Sequence, residues 1–402
     1  MEEIVKVVYD REGNPHADKV SPNHKLVTNL FHIFTTQLVS YLLGNGIIFE
    51  DNKMKQALGG SDFDFKVQQV LTYAILDGEG YGFVTEKGIV PFCYACKIHG
   101  NEPLLVPLKD EDDDTIKAAI RYWQIADDKP LRITLYEMDG VNEYKENEIG
   151  EVEIYIPKKA YKINTISSKI EGNISSTGEN YSYFPIVPMG FINGQSSIVG
   201  NRAKLFAYDV ILSGMINNVD MNKIYWIIRN ADGMDRRDDL NFVGDIIQSQ
   251  VVHAPDGVDI SKEEISSRHD SYISVLNTLR KELFHDFQAV DTENLSASNK
   301  TTVEIKSAYE NLNLKCDEVE KYVFDFIRGC LRVRGLDENA DFHFKRPNNI
   351  NETEYLTTIS SIAPIISDDL ALKLICESLG LADEYENIRT QKIAEEVQRF
   401  EE

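Results

Sequence analysis

The chain has 402 residues, of which 42% are hydrophobic and 27% charged, so it is globular material with room for two or three domains. No apolar run approaches the length that crosses a membrane, and the mixed, charged residues 1–6 are unlike a secretory signal. Five scattered cysteines, an odd number, indicate reduced thiols in a cytoplasmic setting. The formal charge of −24 opposes non-specific binding to nucleic acid, because that binding needs Lys and Arg to displace counterions.

The first part of the chain is predicted to hold a polar arm, two helices and a strand. Residues 1–22 contain few apolar side chains and form the arm. A helix is predicted over 23–43, since apolar residues recur along one side and Gly44-Asn45-Gly46 stops it. A second helix over about 64–76 leads into the glycine-rich stretch 77–84. The glycines there lack the G-x-G-x-x-G spacing of a dinucleotide site and follow the helix, so a helix-to-strand turn is predicted.

The middle of the chain is predicted to change from sheet to helix. Residues 88–164 are enriched in β-branched and aromatic residues, which is typical of strands, and their acidic run 110–114 is interpreted as a solvated turn. The Ser-, Gly-, Asn- and Thr-rich stretch 165–181 is predicted to be a loop. Apolar residues at steps of three and four then predict a long helix over 198–229. Residues 231–266 are predicted to be a compact polar insert with a small strand pair.

The stretch from Arg268 to Val333 is predicted to organise the second half of the chain. It consists of a helix over 268–286, an interruption over 287–296 without helical spacing, and one unusually long helix. The long helix starts at a capping box formed by Thr301 and Glu304. Its apolar positions alternate at steps of four and three, as in a helix packed along its whole length: Ile305, Tyr309, Leu312, Cys316, Val319, Val323, Phe326, Cys330 and Val333. After it, the sequence predicts a strand at 342–344 and helices at about 352–363, 368–379 and 382–400.

The chain contains no spacing of residues that predicts an active site or a bound cofactor. Cys93, Cys96 and His99 offer three soft ligands, whereas structural zinc needs four, so a buried sheet segment with two thiols is favoured. H-E-x-x-H, G-x-S-x-G and Walker A patterns are absent. Asp259 and Lys262 suggest a metal-dependent nuclease, but their spacing does not put both side chains on one face of a strand. The sequence therefore points away from an enzyme, with no cofactor and no metal.

Four groups of short motifs occur in one order along most of the chain. They are Tyr41-Leu42-Leu43-Gly44-Asn45-Gly46-Ile47; Leu76-Asp77-Gly78-Glu79-Gly80-Tyr81; Phe184-Pro185-Ile186-Val187-Pro188 with Tyr208-Asp209-Val210-Ile211-Leu212-Ser213 and Asn217-Asn218-Val219; and Leu295-Ser296-Ala297-Ser298 with Arg346-Pro347-Asn348-Asn349 and Ile365-Ile366-Ser367-Asp368. On these motifs the chain resembles the portal proteins of tailed bacteriophages, in the branch common among phages of Gram-positive hosts. One motif departs from the family, because Ser296-Ala297 stands where its members usually have Ser-Gly.

The resemblance implies an α+β, portal-like fold: a mixed α/β wing, long stem and wing helices, a small α/β clip insert and a helical C-terminal crown. The implied boundaries are wing 1–195, stem helix 196–230, clip 231–266, stem helix 267–286, tunnel loop 287–297, long wing helix 298–335 and C-terminal wing and crown helices 336–402. The chain is short for the family, so a reduced crown is expected.

The resemblance also implies roles for particular residues. The tunnel loop would face the central channel through Phe287, Gln288, Ala289, Val290, Asp291, Thr292, Glu293 and Asn294, with Phe287 and Val290 packing against neighbours. Stem charges that would line the channel, unless they are ordinary solvated helix charges, are Lys204, Lys223, Arg268, Arg280 and Lys281. The clip would dock partners through Arg236, Arg237, Asp238 and Asp239. The long helix would partly meet adjacent subunits through Ile305, Leu312, Val319, Val323 and Phe326.

The resemblance implies a homo-oligomeric ring, expected to be a dodecamer, at one vertex of the virion capsid and assembled in the host cytoplasm. Its expected partners are the terminase large subunit, a head–tail adaptor protein, the major capsid and scaffold proteins, and double-stranded DNA that passes without sequence-specific contacts. No membrane is expected. The acidic balance suits this function, because a channel wall that repels phosphate lets a duplex slide. Two alternatives stay open, a metal-dependent nuclease of the packaging machinery and another oligomeric phage scaffold protein.

Overall fold

The protein consists of two compact units. The larger unit spans residues 31–199 and 284–402, and the smaller unit spans residues 1–30 and 200–283. The first 30 residues therefore group with the smaller unit, whereas the predicted wing begins at residue 1. The computed structural model describes residues 7–9, 13–17, 22–94, 104–112, 114–124, 126, 128–167, 174–190, 194–220, 224–229, 259–264, 269–295, 302–347, 359, 361–362, 364–365, 367–378, 385 and 387–392.

The centre of the larger unit is an eight-stranded sheet of order β10-β9-β8-β7-β6-β5-β4-β13. Its strands are β4 (Glu79–Thr85), β5 (Gly88–Tyr94), β6 (Leu104–Lys109), β7 (Ile116–Trp123), β8 (Arg132–Glu137), β9 (Gly140–Glu146), β10 (Val152–Lys159) and β13 (Ile186–Gly190). Neighbouring strands are antiparallel except β5 and β6, which are parallel. The prediction of sheet over 88–164 is confirmed, and the acidic run is a turn in which the Asp110 amide donates to the Thr115 carbonyl over 2.8 Å.

Glycines lie where this sheet meets two helices of the larger unit. Helix α3 (Ser61–Asp77) ends at Gly78, whose φ is +91° and whose added Cβ would lie 2.5 Å from the carbonyl oxygen of Gly194. An added Cβ on Gly82 would lie 2.6 Å from the ring of Phe326, which is on helix α7 (Thr302–Arg334). The predicted helix-to-strand turn is confirmed, and its glycines allow close packing of backbone and ring.

Helix α7 buries the apolar stripe that its sequence predicts. Seven positions of the stripe are at most 6% exposed: Leu312, Cys316, Val319, Val323, Phe326, Cys330 and Val333. They belong to one core with side chains of α3 and of the sheet. The expectation that Leu312, Val319, Val323 and Phe326 meet adjacent subunits is therefore corrected, since these side chains have no surface left for a neighbouring chain. Of the predicted intersubunit positions, Ile305 alone is partly exposed.

The opposite face of the sheet carries a second, aromatic core. Strand alternation turns Tyr81 away from α7, and it joins Phe92 and Tyr136 in this cluster. The cluster comprises Tyr81, Phe92, Leu105, Ile116, Ala119, Tyr136, Val141 and Ile186, with Phe83, Tyr161 and Phe184 packed against it. On the other face, at edge strand β10, Val152 and Ile154 lie opposite Glu146 and Tyr144 of β9 and are 54% and 67% exposed.

Shorter elements complete the larger unit. Helix α1 (Leu30–Leu43) is followed by β3 (Ile47–Phe49), α2 (Asn52–Ala57) and, near the C-terminus, β16 (Phe342–Phe344) and α8 (Asp368–Ser378). Strand β16 pairs antiparallel with β3, so the predicted strand at 342–344 and the predicted helix at 368–379 are confirmed. The predicted helices at 352–363 and 382–400 fall mostly outside the described residues.

The stretch predicted as a loop over 165–181 contains part of a hairpin. Strand β11 (Lys162–Ser167) pairs antiparallel with β12 (Ile174–Glu179), in a register from Lys162 opposite Glu179 to Ser167 opposite Ile174. The Ser- and Thr-rich composition suggested a loop. The ladder forms nevertheless, because its hydrogen bonds use backbone groups and not side chains.

The smaller unit is built on a shorter helix than the sequence predicts. Helix α4 (Arg202–Asp220) ends nine residues before the predicted limit at residue 229, and β14 (Ile224–Arg229) follows it. Strand β14 has the β-branched and aromatic sequence Ile-Tyr-Trp-Ile-Ile-Arg and pairs with β15 (Asp259–Glu264) over six residues. The predicted strand pair therefore exists, but its first strand precedes the predicted insert. Helix α5 (His269–Asp286) confirms the predicted helix at 268–286, and β1 (Val7–Tyr9) pairs with β2 (Pro15–Ala17).

An extended segment, residues 22–29, runs antiparallel to α4. The backbone amides of His24, Leu26 and Thr28 donate to Asn217 Oδ1, Ser213 Oγ and Asp209 Oδ1 over 2.6, 3.0 and 2.9 Å, and the Thr28 hydroxyl also donates to Asp209 Oδ1 over 2.7 Å. We call Asp209, Ser213 and Asn217 the acceptor ladder. These backbone bonds compete with helix formation, so α1 begins at Leu30 and not at the predicted residue 23.

Candidate functional site

The 287–297 loop follows directly from the end of α5. The Ala289 amide donates to the Phe284 carbonyl over 2.9 Å, and the Gln288 amide donates to the His285 carbonyl over 3.0 Å. Gln288 has a φ of +53°, the left-handed conformation that usually ends a helix at glycine. The helix end is therefore closed by a standard hydrogen-bond pattern, although a glutamine occupies the strained position.

Aromatic packing fixes the first residue of the loop inside the larger unit. Phe287 stacks on Phe34 of α1 with ring centroids 4.7 Å apart, and it lies 5.6 Å from the Phe31 ring. Phe34 also meets Phe284 edge to face at 5.0 Å. Phe287 is only 3% exposed. Its side chain, predicted to pack against neighbours, packs in the chain's own interior.

A side-chain amide of α1 holds the loop at Val290. Gln37 Nε2 donates to the Val290 carbonyl over 3.0 Å, and the Val290 amide donates to Gln37 Oε1 over 2.8 Å. The glutamine thus pairs with both backbone groups of one residue, as a neighbouring β-strand does. The Val290 side chain is 4% exposed, so it too packs inside the chain.

A lysine of α7 closes the base of the loop. Lys315 Nζ donates to the Phe287 carbonyl over 2.8 Å, which places a cation at the negative end of the α5 dipole. Burial lowers the pKa of Lys315 to about 8, while Glu318 acts in the opposite direction. Beside this contact is a cavity of about 240 Å³, lined by Gln195, Ser196, Ser197, Val199, Asp286, Phe287, Gln288, Lys315, Glu318 and Val319.

The outward groups of the loop are polar or acidic. Gln288, Thr292 and Glu293 are exposed, whereas Ala289 and Asp291 are partly buried. Asp291 Oδ1 accepts the Glu293 amide over 3.2 Å and starts a single helical turn, α6 (Thr292–Leu295). Asn294 lies in this turn, and the predicted Ser296-Ala297 junction and Thr301 of the capping box lie outside the described residues.

The other predicted channel and docking residues divide into three groups. Lys204 of α4 forms an ion pair of 3.3 Å with Glu282 of α5, and Lys281 is exposed. Arg280 is partly buried, with Nε shielded from solvent. Outside the described residues are Lys223, Arg268 and the clip residues Arg236, Arg237, Asp238 and Asp239.

The described residues contain few candidates for other chemistry. Within them, no group of three or more His, Cys, Asp or Glu side chains is arranged to hold a metal ion. Cys93 is a buried thiol on β5 that forms no disulfide, and its predicted companions Cys96 and His99 lie outside the described part. In that same part, no helix has the length and apolar character needed to cross a membrane.

The sequence predicts where the loop lies but not which residues hold it. Gln37 and Lys315 have their partners at sequence separations of 253 and 28 residues, and neither belongs to a recognisable motif. Lys315 stands in a mixed sequence next to Asp317 and Glu318, so its role gives no signal in the sequence.

The chain is similar to chains of solved gene transfer agent (GTA) particles at low identity. The structure described as "Virion of native gene transfer agent (GTA) particle" has a TM-score of 0.46 at 10% identity, over 87% of this chain and 89% of that chain. "Neck of empty GTA particle computed with C6 symmetry" gives 0.43 at 10%, over 85% and 89%. "Neck of native GTA particle computed with C12 symmetry" gives 0.41 at 10%, over 85% and 88%.

Sequence comparison identifies the family. None of the curated proteins matches the chain. The model of the family described as "Phage portal protein, SPP1 Gp6-like" matches residues 2–397, which is nearly the whole length. This match confirms the resemblance that the short motifs indicate. The chain therefore belongs to the SPP1 Gp6-like family of phage portal proteins.

Proposed function

We propose that this portal protein forms a closed ring, a dodecamer, at one capsid vertex, and that double-stranded DNA is packaged and ejected through its channel. The 287–297 loop is the segment that meets the moving DNA. In this proposal the protein is structural and not catalytic, is assembled in the host cytoplasm and is carried in the virion. It acts on DNA through the shape and charge of a passage and not through sequence-specific contacts.

One observation carries the proposal: the loop is fastened at its base and polar at its surface. Phe287, Val290 and the Phe287 carbonyl are held by α1 and α7, so the loop's first turn is rigid. The exposed side chains are those of Gln288, Thr292 and Glu293. A rigid support with neutral and acidic groups meets a phosphate backbone without releasing counterions, so it offers the DNA no strong binding site.

The charges of the helix pair α4 and α5 are consistent with weak contact. Lys204 is paired with Glu282, which lowers its availability to phosphate. The whole chain carries a formal charge of −24. A wall of this sign repels the duplex and lets it slide, whereas a basic lining would hold it.

The partners belong to the same proposal. We propose that the terminase large subunit and later a head–tail adaptor protein dock on the 231–266 insert, through Arg236, Arg237, Asp238 and Asp239. The major capsid and scaffold proteins would surround the ring during assembly. A charged insert suits partners that exchange, because rim charges control association rates and specificity more than they control affinity.

The decisive experiment separates ring assembly from DNA movement. The triple variant Gln288→Lys, Thr292→Lys, Glu293→Lys makes the loop basic. A matched control, Ser307→Lys, Glu310→Lys, Asn311→Lys, changes one acid and two neutral exposed residues on α7. Both proteins are purified and imaged by negative stain, and both are supplied to a phage whose own portal gene is disabled. The quantity measured is nuclease-protected DNA per capsid.

We expect rings from both variants and a drop of about tenfold in protected DNA for the loop variant alone, because added cations hold phosphates. Equal amounts of protected DNA for the two variants would contradict the proposed contact between the loop and DNA. A wild-type protein that stays monomeric both when purified and when produced with its scaffold protein would contradict the ring itself.

A further inference from the structure

A cavity of about 460 Å³ opens on the aromatic face of the sheet, within the larger unit. Strands β7, β8 and β9 form its floor, and residues of β10 and β11 line its side. Trp123, Tyr155 and Tyr161 contribute aromatic walls. The volume falls within the range of pockets that take up a drug-sized group or several side chains. None of the residues that line it belongs to the 287–297 loop.

Two guanidinium groups line this cavity without an acidic partner. Arg121 hydrogen-bonds the Tyr136 hydroxyl and lies 4.3 Å from the centroid of the Phe92 ring. Its Nε is shielded from solvent and has no hydrogen-bond partner. Arg132 lies 4.3 Å from the Tyr155 ring centroid. Across the part of the chain that the structure describes, neither arginine forms an ion pair with a carboxylate.

The absence of a carboxylate paired with either arginine is unusual in so acidic a protein. Of the cavity's charged side chains, Lys159 is paired with Glu143 at 2.6 Å, which leaves the two arginines uncompensated. On the neighbouring strand the register puts Lys145 directly opposite Arg132, a pairing of like charges that destabilises a sheet. Glu153 lies opposite Lys145 on its other side. The cavity is therefore a basic, aromatic site on a chain of net charge −24.

We propose that this cavity binds a short peptide segment of a partner protein that carries a carboxylate next to an apolar or aromatic side chain. A guanidinium supplies parallel N–H donors that match a carboxylate, and an arginine stacked on a ring is already held in place for that contact. Arg121 and Arg132 bind the acidic group, and Trp123 and Tyr155 receive the apolar one. Arginine, tyrosine and tryptophan are also the residues that dominate binding energy in protein interfaces.

A peptide fits these observations better than a nucleic acid. The arginines are two isolated cations on an acidic chain, while binding to a polyphosphate depends on many cations acting together. The proposal goes beyond the channel function, since it concerns a face of the sheet that carries no part of the loop. The peptide-binding proposal and the channel proposal can therefore be contradicted independently.

The test measures fluorescence anisotropy of a labelled peptide, Glu-Phe-Asp-Glu-Leu-Asp, titrated with the full-length protein. The neutral peptide Gln-Phe-Asn-Gln-Leu-Asn is the ligand control. Arg132→Gln is the site variant, and Arg132→Lys keeps the charge without the paired donors. Lys145→Gln is the matched protein control, because it makes the same charge change on the adjacent strand and lies outside the cavity lining. Circular dichroism and ring formation are recorded for every variant.

We expect the acidic peptide to bind at least about tenfold more tightly than the neutral one, in line with a charge-assisted bidentate pair. Arg132→Gln weakens binding by about tenfold, Arg132→Lys by less, and Lys145→Gln by under about twofold. Absence of binding by the acidic peptide, or equal losses from Arg132→Gln and Lys145→Gln, overturns the proposal. The proposal is also overturned if a thymidine hexanucleotide displaces the peptide from the wild-type protein but does not bind Arg132→Gln. That result would indicate a nucleic-acid site.

Discussion

Two helices, one in each compact unit, make their main contacts by opposite means. Helix α7 packs an apolar stripe whose central members Val323 and Phe326 are fully buried. Helix α4 instead offers the acceptor ladder to backbone amides of residues 22–29. The first contact is non-directional and depends on buried area. The second is directional and depends on register.

The register of the second contact follows from two repeat lengths. Two residues of extended chain advance about 6.6 Å, and four residues of α-helix advance about 6.0 Å. Every second amide of residues 22–29 can therefore donate to every fourth side chain of α4, and the match holds for three successive hydrogen bonds. The ladder side chains Asp209, Ser213 and Asn217 are 8%, 5% and 6% exposed, so each bond is shielded from water. Substitutions in an apolar stripe lower the stability of the protein in proportion to the side-chain volume that they remove. Substitutions in the acceptor ladder lower it by the loss of individual hydrogen bonds.

The largest expected effect is on the stripe. Phe326→Ala removes a fully buried ring that contacts the sheet at Gly82. We expect the free energy of unfolding to fall by about 3–5 kcal/mol, because the cavity left behind cannot collapse fully. Urea unfolding measures the change. Glu310→Ala, on the exposed face of the same helix, is the control and is expected to change stability by less than about 0.5 kcal/mol.

The next effect tests the ladder. Asp209→Ala deprives two donors of Thr28, its amide and its hydroxyl, of their shared acceptor. We expect a loss of about 2–3 kcal/mol, since a buried donor without a partner costs more than a bond contributes. Asp209→Asn keeps an acceptor oxygen and is expected to lose about half as much. Equal stability of Asp209→Ala and wild type would contradict the ladder.

Hydrogen exchange gives the same contact an internal control. The amides of His24, Leu26 and Thr28 donate to the ladder, so their exchange should be slow. We expect the amide of Val27, which lies between those of Leu26 and Thr28, to exchange faster. In Asp209→Ala the amide of Thr28 should lose protection first. A uniform rate across residues 24–28 would indicate that the segment does not hold this register.

These two helices also show why one contact is predictable from sequence and the other is not. The α7 stripe is a local periodic signal, so a helix predicted from residue 301 begins at residue 302. The ladder has the same kind of spacing on α4, yet its short polar residues look like an ordinary solvated face. Its partners are 181 to 193 residues away. Only the fold brings the two together, and the same contact shortens α1 at its start.

The 287–297 loop also has one feature that its sequence predicts and one that it does not. The position of the loop was predictable, because residues 287–296 break a helical pattern. Its support was not predictable, since Gln37 is far away in sequence and the left-handed Gln288 lacks the usual glycine signal. The predicted burial of α7 against adjacent subunits failed for a related reason. Periodicity shows that a face is buried but not which chain covers it.

Lys315 of α7 is a charged group in buried surroundings, and it makes stability depend on pH. Its pKa is about 8 in the folded protein and about 10.4 in an unfolded chain. Between these values the unfolded state binds more protons, so stability rises with pH from about 8 to 10.4. Below about pH 8 both states are protonated and the cost of burying the charge is present in full.

The measurement is the difference in unfolding free energy between wild type and Lys315→Met at pH 7 and pH 10. We expect wild type to gain about 1–3 kcal/mol relative to the variant over this interval, because the variant lacks the titrating group. Lys321→Met removes an exposed lysine from the same helix, and its difference from wild type should stay constant. A flat difference for Lys315→Met would mean that the amine is solvated in the folded protein.

The smallest expected effect concerns the residue that ends α5. Gln288 adopts a φ of +53°, where a side chain is strained and glycine is not. We expect Gln288→Gly to raise the free energy of unfolding by about 0.5–1 kcal/mol, the relieved strain exceeding the entropy that glycine adds to the unfolded chain. Thr292→Gly, in α6, lacks a positive φ to relieve and should lower stability by up to about 1 kcal/mol. If both glycine variants are destabilised equally, the left-handed turn is not held at Gln288, and the loop is fastened by the packing of Phe287 and by Gln37 and Lys315.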